Sequence, residues 1–450
     1  MQINTKVKSE YTHEGAKAFR LTSPELKLRR SVMSCLLWES EFYEDGESIA
    51  ERISSLADQV SSQCLSDLII EVRTKYYLRH VPLLLLLSLI KKNDSKLIAD
   101  TIYNTIQRPD ELSELLALYW KDGKKPIDNQ LKKGLAKAFT KFDAYSLAKY
   151  NRDKEIKLRD VMFLVHPKAK NEEQAITFKK LANNELESPD TWEVNLSKGA
   201  DKKETFERLL KENKLGYLAL LRNLRNMIQS NVDDDLIRQA ILKTENIKMI
   251  LPFRFIAAAR HAPNFENELD IAMMHSINEL PELSGLTVVL VDVSGSMTQK
   301  LSQKSDMTRM DAAAGLASII KSEKLRVFSF SNKLVEVPSN RRGMSGVDAV
   351  IHSQDYCGTD LIGALNNLYN IIPEMDRLIV ISDEQISIDI SNSNTLPLPN
   401  GKPYMINVAS YKNGVGYGKW IHIDGFSENV IRYIYELENY ENTIDGFNID

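Results

Sequence analysis

Leu286-Thr287-Val288-Val289-Leu290-Val291-Asp292-Val293-Ser294-Gly295-Ser296 is the stretch that decides the fold. Up to Asp292 it is an almost unbroken β-branched and aliphatic run. A strand buried on both faces reads this way, whereas a half-exposed strand alternates. Such strands belong to parallel sheets covered by helices, and the sequence downstream supplies both. A helix is predicted over 308–323, a strand over Leu325–Phe330, an edge strand over Leu334–Val337 and a helix over 359–371. Strands Arg377–Ser382, Tyr404–Val408 and Trp420–Ile423 follow, with a closing helix over 427–439. This alternation predicts an open, doubly wound α/β sheet.

Upstream of the stretch the hydrophobic period becomes helical. From about residue 23 to 280, apolar residues recur at spacings of three and four. Ser23-Pro24-Glu25 opens the first helix: the serine caps free amides, and the proline occupies the first turn, where its missing N–H costs nothing. Ser48 and Glu51 read as a capping box on the stripe Ile49, Ile53, Leu56 and Val60. Further helices are predicted at 66–80, 82–91, 95–106, 110–120, 129–149, 157–165, 172–184, 203–212, 215–229, 233–243 and 264–279. Short polar breaks such as Lys91-Lys92-Asn93-Asp94 separate several of them. So many helices with short turns predict a HEAT-like solenoid or ring rather than one bundle, although no strict sequence repeat is present. The change of period near Ser284 divides the chain into a helical module, residues 1–283, and an α/β domain, residues 284–450.

Composition narrows the class further. A chain of 450 residues, 43% hydrophobic, holds two or three domains with a large core and is not disordered. Its longest apolar run, Val81–Ile90, is interrupted by Ser88 and bounded by His80 and Lys91, so no membrane span is expected. Met1-Gln-Ile-Asn-Thr-Lys6 lacks the apolar core of a signal peptide. The three cysteines, Cys35, Cys64 and Cys357, fit neither a disulfide framework nor a zinc knuckle, which agrees with a reducing cytosolic location. The net charge of −4 is unevenly spread: residues 284–450 carry 14 basic and 20 acidic side chains, residues 1–283 carry 44 and 42. Within Lys121–Lys170 there are 14 basic and 6 acidic residues, a net of +8 that suits either a solvated helical face or a polyanion.

Asp292, Ser294 and Ser296 alternate along an extended segment at the carboxyl end of a strand, where open α/β sheets bind ligands. Thr359, just before a helix, and Asp383, following strand Arg377–Ser382, occupy equivalent positions. Hydroxyls with one or two carboxylates suit Mg²⁺ or another hard divalent cation. The same residues also serve as caps and turns. Acid–base chemistry finds no support. A nucleophilic strand-end aspartate needs a second acid two residues on, where this chain has Ser294, and no G-x-S-x-G elbow or phosphate loop is present. A non-enzyme is expected.

These five positions resemble the metal-ion-dependent adhesion site of von Willebrand factor A domains. The helical half resembles the TROVE module of the Ro family. Cys35-Leu-Leu-Trp38-Glu-Ser-Glu-Phe42-Tyr43-Glu-Asp-Gly46 is similar to its opening. Ala148-Lys149-Tyr150, Arg159-Asp160 with Val165-His166-Pro167-Lys168, Ala219-Leu-Leu-Arg222-Asn223-Leu224 and Leu251-Pro252-Phe253-Arg254-Phe255 follow in family order. The resemblance implies a helical ring closed by the A domain, binding small non-coding Y-like RNA on its outer surface and single-stranded ends of misfolded RNAs in its hole. It also implies a ribonucleoprotein scaffold in RNA quality control or decay, with a nuclease or other protein as a partner on the A domain. By matching positions, the RNA role falls on Lys149, Tyr150, His166 and Lys168, on Arg152 offset by one, and on Lys133 and Lys137 of a nearby basic helix. Arg222 and Arg225 fit either RNA contact or helix-end bonding. A monomer is expected. The alternative is a protein-binding adaptor whose metal site captures an acidic ligand.

Overall fold

A computed structural model describes residues 24–33, 46–243, 247, 250–278, 280–301, 307–338, 340–356, 358–383, 396–408, 420–425 and 429–447. The Cys35–Asp45 part of the family opening and Cys357 lie outside these residues. The helices of the first part are α1 (Pro24–Met33), α2 (Gly46–Asp58), α3 (Ser62–Thr74), α4 (His80–Lys92), α5 (Ile98–Thr105), α6 (Pro109–Tyr119), α7 (Asn129–Phe139) and α8 (Ala144–Tyr150). They continue as α9 (Leu158–Val165), α10 (Glu172–Asn183), α11 (Trp192–Ser197), α12 (Lys202–Lys211), α13 (Tyr217–Gln229), α14 (Asp234–Leu242), α15 (Phe253–His261) and α16 (Glu266–Ser276). The second part runs β1 (Glu282–Asp292), α17 (Arg309–Ile319), β2 (Lys321–Phe330), β3 (Leu334–Val337), α18 (Gly343–Ile351), α19 (Leu361–Ile371), β4 (Arg377–Ser382), β5 (Lys402–Asn407), β6 (Ile421–Asp424) and α20 (Asn429–Phe447).

The helices stack in two layers. In one, α3, α5, α7 and α9 pack in succession; in the other, α2, α4 and α6 do so. The α5–α7 crossing depends on Gly134, where a Cβ would stand 2.8 Å from Ile102 Cβ and 3.1 Å from the Ala99 carbonyl oxygen. The predicted single helix 129–149 is two helices. Thr140–Asp143 leave the helical path because Phe142 is drawn into the core, while Lys141 Nζ donates to the carbonyls of Tyr103 and Ile106. Asp143 then caps α8 by accepting from Ser146 N. Helix α9 ends at His166, which adopts a left-handed conformation (φ 50°) immediately before Pro167.

The sheet has the order β3-β2-β1-β4-β5-β6, parallel except for the antiparallel β2–β3 pair. Val288 and Leu290 enter one core with Phe328, Phe330, Leu361 and Leu365. Val289 and Val291 face the other way, into a core that continues through Met344 and Ile256 into the helical half. This two-sided burial is the physical reason for the unbroken apolar run. The predicted helix 308–323 overshoots: α17 stops at Ile319, and Lys321, Ser322 and Lys324 pair with Glu282, Leu283 and Leu286 at the start of β1. Strand pairing overrides the local helix propensity there. Helix α18 has no counterpart among the predicted elements.

The two parts meet at both ends. Arg260 on α15 pairs with Asp311 (3.1 Å) and Asp348 (3.3 Å) on α17 and α18. Asp270 on α16 accepts from Met344 N (2.7 Å), capping α18 from outside. At the far end α1 packs on α20. Arg29 reaches Glu71 (2.9 Å) and Glu436 (3.3 Å), and Tyr76 donates to Glu436. The helices and the sheet domain thus form a closed circuit.

Candidate metal centre and nucleic-acid surface

β1 and β4 lie side by side in parallel, with Val291 opposite Ile381, so Asp292 and Ser382 end neighbouring strands at the same edge. Both oxygens of the buried Asp292 carboxylate are engaged: Oδ1 accepts from Ser294 N (2.8 Å), Oδ2 from Ser382 Oγ (2.6 Å). The first bond turns the chain so that Ser294 Oγ and Ser296 Oγ come within 3.1 Å of each other. Burial, reinforced by the nearby Asp383 carboxylate, pushes Asp292 up to about 6 against those hydrogen bonds. The loop carrying Thr359 is pinned to the end of β2, where Ser331 Oγ donates to the Gly358 carbonyl and Asp360 N donates to the Ser331 carbonyl.

Asp383 is fully buried, and Arg309 Nη1 donates to its Oδ2 at 3.0 Å. Arg309 is the first residue of α17, a helix end whose dipole disfavours a cation. That misplaced charge is the sequence signal that could have revealed it; Ser382 offers no such signal. A hard divalent cation fits the donor set on two grounds: the hydroxyls of Ser294 and Ser296 converge beside a buried carboxylate, and the chain itself sets a cation on Asp383. Asp292, Ser294, Ser296, Thr359 and Asp383 are the residues that would hold it. Among the described residues, no three His, Cys, Asp or Glu side chains gather into a metal cluster.

The basic island, Lys121–Lys170, runs from the residues after α6 through α7, α8 and α9 to the turn before α10. Lys149 is exposed on α8, its Nζ 5.7 Å from the Tyr145 ring centre and 5.9 Å from that of Tyr150. Tyr150 is half-buried: the Arg108 guanidinium covers one face at 4.5 Å, held by Asp110. Arg152, exposed, follows with its N–H on the Tyr150 carbonyl. His166 and Lys168 are exposed on the turn after α9, and no hydrogen bond or ring contact joins them to Lys149. Lys133 and Lys137 are exposed on α7, but Lys137 is committed to Asp100 at 2.7 Å and lies 4.7 Å from the Tyr103 ring centre.

Two aromatic side chains escaped the sequence reading. Tyr145 is 47% exposed and Phe163 51%, the latter with Arg159 6.0 Å from its ring centre. Phe163 is out of phase with the buried stripe Leu158, Val161, Met162 and Val165, a pattern visible in the sequence. Arg222 and Arg225 share an exposed face of α13 with Leu218.

The TROVE domain family model matches residues 182–329. Over that stretch, about a third of its length, the chain is similar to the TROVE domain family. The matched region runs from the end of α10 across the boundary near Ser284 into β2, and the basic island lies upstream of it. The crystal structure of the Ro (RSR) protein of Deinococcus radiodurans shares the fold, with a TM-score of 0.63 and 16% identity over 91% of this chain and 99% of that one. No curated protein matches the chain by sequence. No helix among its described residues is long and apolar enough to cross a membrane.

Proposed function

We propose that this chain is a Ro-type RNA-binding ring protein, a cytosolic monomeric scaffold rather than an enzyme. It binds small non-coding, Y-like RNA and single-stranded ends of misfolded RNAs, and hands them to RNA quality control or decay. The observation that carries this reading is the exposure of Lys149 and the Tyr145 ring on α8, and of the Phe163 ring on α9 with His166 and Lys168 on the turn after it. Lysines attract phosphates and open rings stack on unpaired bases, so the combination favours a single strand over a structureless polyanion. A divalent cation, Mg²⁺ by donor chemistry, sits on Asp292, Ser294, Ser296, Thr359 and Asp383 and serves a protein partner such as a nuclease.

Salt-titrated binding of an RNA with a free single-stranded end tests the RNA reading. Affinity should fall steeply with salt, and Lys149→Glu with Lys168→Glu should weaken it. Absence of binding at low salt would leave the metal-dependent adaptor, whose capture of an acidic protein ligand would vanish in Asp292→Ala.

A further inference from the structure

Two buried carboxylates, Asp292 and Asp383, end neighbouring strands of the sheet, and they are not treated alike. Asp292 is satisfied by a backbone N–H and by a hydroxyl, both neutral donors. Asp383 receives a guanidinium, from an arginine that is itself 9% exposed. A buried, ion-paired carboxylate is costly to uncouple, because removing its cation leaves an uncompensated charge in a poor solvent.

The backbone beneath Arg309 is fixed. Arg309 N donates to the Gln299 carbonyl (2.9 Å), Leu301 N donates to the Met307 carbonyl (2.9 Å), and Thr308 with Asp311 forms the capping box of α17. The arginine is therefore anchored to the segment that carries Ser294 and Ser296, while its long side chain retains rotamers of its own. Its position opposes the helix dipole, and Asp383 is a buried anionic partner that offsets this.

We propose that Arg309 is a tethered cation that competes with the divalent ion for Asp383. The inference rests on the metal site proposed above. In the metal-free protein the guanidinium satisfies Asp383; loading a dication draws that carboxylate away and releases the arm. The cost of displacing Arg309 sets the affinity of the site, and the released guanidinium becomes a second positive group beside the metal, suited to an acidic partner ligand.

Mn²⁺ titration by calorimetry, with thermal melting in Mg²⁺, tests this on the full chain. Arg309→Met should bind Mn²⁺ at least about tenfold more tightly than wild type, the scale of one charge-assisted hydrogen bond, and gain more melting temperature from Mg²⁺. Equal or weaker binding by Arg309→Met, with Asp292→Ala abolishing binding in both backgrounds, overturns the role of Arg309 while the metal site stands. No binding by wild type or Arg309→Met overturns the metal site itself. Should Arg309→Met not fold, nitrogen NMR of the arginine side chains in the wild-type protein decides, with Arg309→Lys assigning the signal. The Arg309 guanidinium protons should be protected from exchange without metal and lose that protection on adding Mg²⁺; protection that persists at saturating Mg²⁺ overturns the proposal.

Discussion

The Tyr76 hydroxyl donates to the Glu436 carboxylate, joining side chains 360 positions apart in the chain. Glu436 also meets Arg29 at 3.3 Å and Lys75 at 3.9 Å. Tyr76→Phe keeps the buried ring and deletes the hydroxyl that donates to Glu436 and also reaches Glu71 Oε1 at 3.2 Å. It should cost about 1–2 kcal/mol, seen as a lower urea midpoint at unchanged slope. Glu436→Lys, which faces Arg29 and Lys75 with a third cation, should cost more. Unchanged midpoints in both variants would mean that this junction adds nothing to stability.

The same junction is sensitive to acid. Burial alone would raise the Glu71 carboxyl, but Arg29 at 2.9 Å and Lys75 at 3.2 Å together outweigh it and hold the group below its ordinary 4.5. A carboxylate lowered by folding contributes stability that is fully present above 4.5 and is lost as pH falls through the lowered value. The stability gap between wild type and Arg29→Gln, measured by denaturant titration, should therefore be largest near neutrality and narrow on acidification below 4.5. A gap independent of pH would break the linkage.

Gly343 has φ of +60°, and a Cβ there would collide with the Asp270 carboxylate that caps α18. Gly343→Ala should destabilise by more than about 1 kcal/mol, whereas Gly→Ala at an unstrained site is neutral or stabilising. Gly216, with open space around its Cβ position and negative φ, provides the control. Equal melting temperatures for the two variants would contradict the capping contact.

Tyr145 and Tyr150 should separate in RNA binding. Tyr145 offers an open ring, while Arg108 already covers one face of Tyr150. Tyr145→Ala should lose about 1–3 kcal/mol of affinity for a single strand, the worth of one stacked base. Tyr150→Ala should act mainly on stability, through the loss of its contact with Arg108. Lys149→Ala should reduce the slope of log affinity against log salt by about 0.7, one phosphate contact. Lys137→Ala should change it less, because Asp100 already neutralises that lysine.

Where one residue's burial dictates its type, the sequence is legible. Val288 to Val291 announce a strand with two dry faces, and the order of helices and strands after them follows. Legibility fails where distant partners decide the outcome. Lys321–Lys324 are strand because β1 extends back to Glu282 to meet them, and Thr140–Asp143 break a helix because Lys141 finds two carbonyls at the end of α5. At the metal centre, spacing alone names Asp292, Ser294 and Ser296, whereas Arg309 reaches Asp383 across 74 positions. On the RNA surface, the lysines are visible as a charge excess, but only packing shows that Tyr150 is partly covered and Tyr145 is not.

The α1–α20 contact has a consequence for how the protein is made. Synthesis proceeds from α1 towards α20, so the face of α1 that α20 covers waits, unprotected, while the intervening helices and sheet are translated. Helical layers can assemble on the ribosome as they emerge; closure cannot. A nascent chain stalled inside the sheet domain is an open arc with a sticky edge, and that edge is a natural target for chaperones until the last helix arrives.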